Sequence, residues 1–112
     1  MKNVPYGVLE FLQGHQVELA EDLGWARISN GDLIKTAEAA GFDTVLTADQ
    51  NIVYQQNLKG RKVALVVLGS NIWPVVLQHA AAIATQVDSA RPGSYAFLEM
   101  PLPPKPRGRF RR

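Results

Sequence analysis

A chain of 112 residues with 46% apolar side chains is long enough for one hydrophobic core and too short for two. It has no cysteine, which excludes disulfides and thiolate metal sites, and no apolar run approaches the roughly 18 residues of a membrane span. No charged-then-apolar signal segment opens it, so the expectation is a soluble cytoplasmic protein without a membrane partner. The net charge of +2 and pI of 9.2 mislead about the domain itself. Residues 101–112 hold Lys105, Arg107, Arg109, Arg111 and Arg112 and no acid, leaving residues 1–100 at a net −3.

Pro5 suits the first turn of a helix, where its missing N–H costs nothing. Val8, Leu9, Phe11 and Leu12 follow at helical spacing, and Gly14 stops them. His15 then reads as a cap or surface histidine, and Gln16 to Ala20 alternates like a short strand. The glycine-marked stretch 20–32 is irregular, with Trp25 wedged against the core. Asn30 reads as an N-cap and Asp32 falls in the first helical turn, where the helix dipole favours a negative charge. Leu33, Ile34, Ala37 and Ala40 form the apolar face of that helix, and Gly41 ends it.

Asp43 to Ala48 is β-branched and apolar and stops at Asp49, followed by Gln50 and Asn51. A short helix or loop over 52–58 and a turn at Gly60 lead to Lys62–Leu68, whose continuous aliphatics predict a strand covered on both faces. Pro74 opens a predicted long helix to about Ser89, with Val75, Val76, Leu77, Ala80, Ile83, Ala84 and Val87 inward. Pro92-Gly93 breaks it, and Ser94–Glu99 alternates like an edge strand. Strands alternating with helices predict an α/β domain over residues 1–100, a small parallel sheet flanked by helices. The Pro/Arg-rich segment 101–112 reads as a disordered basic tail, either solvated or gripping phosphates.

Several chemistries lack their residues. There is no GxxxxGK[ST] loop and no GxGxxG after a strand. His15 and His79 have no serine or carboxylate partner evident in the sequence, and His79 lies in an apolar helix. Asp32 at a helix start and Asp49 at a strand end remain, with Asn51 two residues on. Helix starts and strand C-termini share one edge of a parallel sheet. Converging carboxylates repel unless a cation lies between them, and Mg²⁺ or Mn²⁺ suits such oxygen donors. Each group also has a bland reading: Asp32 as dipole compensation, and the polar run 50–57 as a loop satisfying its own backbone.

The residues Asn3-Val4-Pro5, Gly14-His15-x-Val17, Gly24-Trp25 and Asn30-Gly31-Asp32-Leu33 resemble the PIN-like family of small prokaryotic nuclease toxins. So do Leu46-Thr47-x-Asp49-Gln50-Asn51, Tyr54-Gln55-Gln56-Asn57-Leu58, Gly60-Arg61, Trp73-Pro74 and Pro92-Gly93-x-Tyr95, over residues 3–98. The resemblance implies a metal-dependent ribonuclease of the toxin–antitoxin type, with RNA as substrate and a cognate antitoxin as partner. By the same resemblance Asp49 and Asp32 would be catalytic metal ligands, Asn51 a supporting one, and Gln55, Asn57 and Arg61 phosphate contacts. Family members open with a strand of the type ILFD, whose Asp falls at Met1 when aligned on Pro5. The sequence as it stands has neither that strand nor its acid. Its absence would expose a neighbouring strand edge, and a non-catalytic RNA- or protein-binding module, in one form a homodimer, is the alternative reading.

Overall fold

Two aliphatic runs meet side by side at the centre of the molecule. In the computed structural model, which describes residues 1–54, 58 and 60–101, Thr44–Thr47 forms β1 and Ala64–Leu68 forms β2, paired in parallel with Thr44 opposite Ala64. Tyr95–Leu98, β3, adds in parallel on the far side of β2, with Leu65 opposite Tyr95. The order is β1-β2-β3, which leaves β2 central, and all five of its residues are buried. A strand covered on both faces has no solvated side, and its unbroken aliphatic sequence reflects that.

Side-chain alternation sends the strands into two cores. Leu46, Val66 and Leu68 join Val4, Val8, Leu12, Val75, Val76 and Ile83 on one face. Val45, Leu65 and Val67 join Leu33, Ile34, Ala37, Ile52 and Val63 on the other. The first face is covered by a 3₁₀ helix, Tyr6–Phe11, and by helices α2 (Trp73–Gln78) and α3 (Ala80–Asp88); the second by α1 (Asn30–Ala39). The protein is therefore an α/β domain with a three-stranded parallel sheet among the described residues.

Helix α1, Asn30–Ala39, is capped by Ser29, whose hydroxyl accepts the Asp32 N–H at 3.3 Å. Asn30, expected as the cap, is instead its first residue. Gly41 follows with φ of 89°, a left-handed conformation that a side chain would resist. The long helix expected from Pro74 is two: α2, Trp73–Gln78, and α3, Ala80–Asp88, meeting at His79 with φ −110° and ψ 11°. Val75, Val76, Ala80 and Ile83 are buried as expected, but Leu77 is 46% exposed.

Gln16–Ala20 is not a strand. Its alternation was a false signal: Ala20 instead donates its N–H to the Met1 carbonyl at 3.0 Å, and the chain turns over 19–24. Trp25 packs, as expected, against the second core, edge-on to Phe42 at 5.9 Å between ring centres. Residues 102–112, expected as a disordered tail, lie outside the described residues.

Gly7 sits against the Trp73 indole, where a Cβ would run into the ring. Gly7→Ala should cost about 1–3 kcal/mol, the range for overpacking, read by urea denaturation. Adding Trp73→Leu should recover part of that loss, because the two sites share one contact. Strictly additive costs would show that the ring does not set the limit.

Candidate functional site

β1 ends in a turn built by its own side chains. Thr47 is 1% exposed, the buried polar side chain of the core, and its hydroxyl accepts the Asp49 N–H at 3.1 Å. The Asp49 carboxylate in turn accepts the Asn51 N–H at 3.0 Å on Oδ1. A 3₁₀ turn, Gln50–Tyr54, follows, anchored by the fully buried Ile52. Short polar side chains that satisfy nearby N–H groups stop a strand without leaving buried donors unpaired.

The other carboxylate oxygen, Oδ2, accepts a hydrogen bond from the Asn30 side-chain amide at 3.1 Å. Asn30 shares a helix face with Leu33, Ile34 and Ala37, by the i, i+3, i+4, i+7 rule, and those three are buried against the sheet. Asn30 is thus aimed at the strand end by the same periodicity that packs the helix. Asp32, two residues on, lies about 200° further around the axis and is exposed. Among the described residues no hydrogen bond or ion pair links Asp32 to Asp49. Gln50 ties the neighbouring strand end to this edge, its amide donating to the Gly69 carbonyl at 3.1 Å.

Of the residues singled out in the sequence, Asp49 and Asn51 meet here, Asn51 through its backbone. Gln55 and Asn57 lie outside the described residues. Arg61 stands at the opposite edge, ahead of β2, where its guanidinium donates to Glu38 Oε1 at 3.1 Å. Glu38 Oε2 accepts the Lys62 N–H at 2.6 Å. The Lys62 hydrogen bond first, and Arg61 with it, holds the Glu38 carboxyl below its ordinary range against a smaller opposing effect of burial. Asn30, Thr47 and Gln50 are the contributors that sequence reasoning missed. The only signal for Asn30 was its place in the helix pattern, which also fits a cap.

His15 has the carboxylate partner that the sequence did not reveal: its Nε2 lies 2.5 Å from Asp88 Oδ1, an exposed pair 73 residues apart in the chain. Among the described residues no group of three or more His, Cys, Asp or Glu side chains is placed to hold a metal ion. Asp49 keeps one free lone pair on each oxygen, so the edge fits a cation that retains most of its waters and not an all-protein cage. Two cavities, of 580 and 340 Å³, lie elsewhere, and neither is lined by Asp32, Asp49 or Asn51. No described helix is long and apolar enough to cross a membrane.

Fold and site together define a small α/β domain with a carboxylate–amide cluster at the C-terminal edge of a parallel sheet. Compared with family models, curated proteins and solved structures, the chain matches none.

Because the Glu38 carboxyl is held below its ordinary range, its contribution to stability is full above the pKa it has when unfolded. It is lost as pH falls through the lower, folded value. The melting temperature should therefore drop on acidification below the usual glutamate range, and Glu38→Gln should flatten that part of the profile. An unchanged acid limb in Glu38→Gln would assign it to other carboxylates.

Proposed function

We propose that the edge around Asp49 is a phosphate-processing site of PIN-like type, and that the protein is a Mg²⁺- or Mn²⁺-dependent ribonuclease of the toxin kind. The observation that carries this reading is the fixed Asp49 carboxylate at the end of β1, where parallel α/β sheets place ligand groups. Asp49 would be the principal ligand and the Asn51 side-chain oxygen a further donor, with Asp32, about 200° around the helix from Asn30, reaching the ion through its retained waters. When bound, such an ion supplies charge stabilisation on a phosphate and an activated water. Asn30 would set the carboxylate's direction through its hydrogen bond to Oδ2, as outer partners of metal ligands do. RNA and an antitoxin would be the partners, in the cytoplasm. Arg61, paired with Glu38 ahead of β2, would contact a phosphate of the RNA away from the metal.

A second reading has an observation of its own. The described residues offer no group of three acids, and both Asp49 oxygens already serve the fold. A non-catalytic module that binds RNA or protein through the same polar edge, as a monomer or a homodimer, needs no more than this.

Incubation of a mixed RNA pool with Mn²⁺ separates the two. Under the nuclease reading the protein cuts, Asp49→Ala abolishes cutting, and Asn30→Ala lowers it by about 10–100-fold, the range for lost support of a metal ligand. Intact RNA with all three folded proteins would remove the nuclease reading. Retained RNA in a filter-binding assay would then favour the binding module.

A further inference from the structure

Helix α1 covers β1 and β2 on one face of the sheet and leaves β3 bare there. Val45, Leu65 and Val67 belong to the core beneath α1, and no residue of β3 does. Tyr95 and Phe97 stand opposite Leu65 and Val67 and so share that face, where they are 46% and 43% exposed. Register carries this surface to the Asp49 edge. Thr47 is opposite Val67 and Val67 opposite Phe97, which puts Phe97 two strand spacings, about 10 Å, from the end of β1. Its ring leans toward that edge, with Cζ 3.4 Å from where a Cβ on Gly69 would stand. Gln50, next to Asp49, donates its side-chain amide to the Gly69 carbonyl. Asp49, Gln50, Gly69 and Phe97 therefore form one continuous stretch of surface.

The two ends of β3 differ in charge. Glu99, exposed beyond Phe97, adds an acid at the Asp49 end. At the other end Gly93 lies so close to the approach of β2 that a Cβ there would meet the Arg61 carbonyl at 3.3 Å. Arg61 is thus beside the start of β3, with the exposed Lys62 and Arg91 near it. We infer that this face of β3 is a stacking platform for single-stranded RNA, with one base on Phe97 and the next on Tyr95. The inference rests on RNA being the ligand of the Asp49 edge, which the nuclease reading and the RNA form of the binding module share.

Stacking on an aromatic side chain accepts any base, because every base has a π-face, and aromatic side chains carried on a sheet hold unstacked bases this way. In a duplex the neighbouring pairs already cover both faces of each base, so such a platform selects unpaired strands. Tyr95 and Phe97 are about 7 Å apart along the strand, room for one base each. The RNA backbone then runs from a cation held at Asp49 toward Arg61, Lys62 and Arg91, whose charges neutralise its phosphates. Shielding Gly69 is the simpler role for Phe97, but it needs only an apolar side chain, and leucine would supply that. Stacking needs the ring.

The test uses the full chain, a fluorescein-labelled RNA decamer of mixed sequence, and the same decamer annealed to its complement. EDTA is present to prevent cutting, and binding is followed by anisotropy. The single strand should bind, and the duplex about tenfold or more weakly. Phe97→Leu, which keeps an apolar cover over Gly69, should weaken single-strand binding about 10–100-fold, the loss of one stacked base. Phe97→Trp should retain it, and both variants should keep the circular dichroism spectrum of the unsubstituted protein. Equal binding by Phe97→Leu, equal binding of duplex and single strand, or no binding of either would overturn the inference. A dimer in sedimentation that Phe97→Leu dissolves, with RNA affinity unchanged, would overturn it too and assign the face to a second copy. Phe97-dependent binding without Mn²⁺-dependent cutting would support the platform and remove the nuclease reading alone. Asp49-dependent cutting, with Phe97→Leu binding as tightly as the unsubstituted protein, would remove the platform alone.

Discussion

Every other part of the fold rests on the complete burial of β2. Its five residues pair on both sides and are covered on both faces, so it needs helices above and below and strands left and right. Burying that many aliphatic side chains, at about 1.5–3 kcal/mol each relative to exposure, is the largest favourable contribution the chain can make. Helix α1 on one face and the α2–α3 pair with the first 3₁₀ helix on the other exist in their positions because β2 cannot be left wet. The flanking strands differ from it accordingly. Tyr95 and Phe97 of β3 remain exposed, as an edge strand permits.

The candidate site is a by-product of ending β1 cleanly. Thr47 is buried, so its hydroxyl must be satisfied, and it takes the Asp49 N–H. That bond, with the Asn51 and Asn30 contacts, holds the Asp49 carboxylate in one place at the sheet's edge. A group fixed for structural reasons is also a group pre-oriented for a ligand, and the same hydrogen bonds serve both ends. The tension between the two uses is physical: each bond that steadies the carboxylate also occupies a lone pair that a cation would otherwise compete for.

The open edge of β1 puts the opposite constraint on the molecule. A strand with unpaired backbone groups invites further pairing, and here the invitation is narrowed by walls. Residues of α1 and α3 line a cavity beside it. Lys2 pairs with one end of the strand, opposite Thr47, which shortens the edge left open among the described residues.

The sequence by itself determined the α/β class, the three strands and the helix over 30–39, because each rests on local periodicity that a sheet and helix impose on any chain. It also placed Asp49 at a strand end, since an aliphatic run stopping at an acid can be read without neighbours. Where it failed, the cause was non-local. Gln16–Ala20 alternates like a strand, but among the described residues no strand lies beside it, only Met1 bonding to Glu18 and Ala20. The helix from Pro74 breaks at His79, where the local sequence carries no glycine or proline to mark it. Asp32 and Asp49 looked like partners on a shared edge, yet rotation about the helix axis aims Asn30 at Asp49 instead. The pairing of His15 with Asp88, of Arg61 with Glu38, and the cavity beside β1 were all decided by tertiary structure. They depend on which distant surfaces the buried β2 draws together, and no local pattern carries that information.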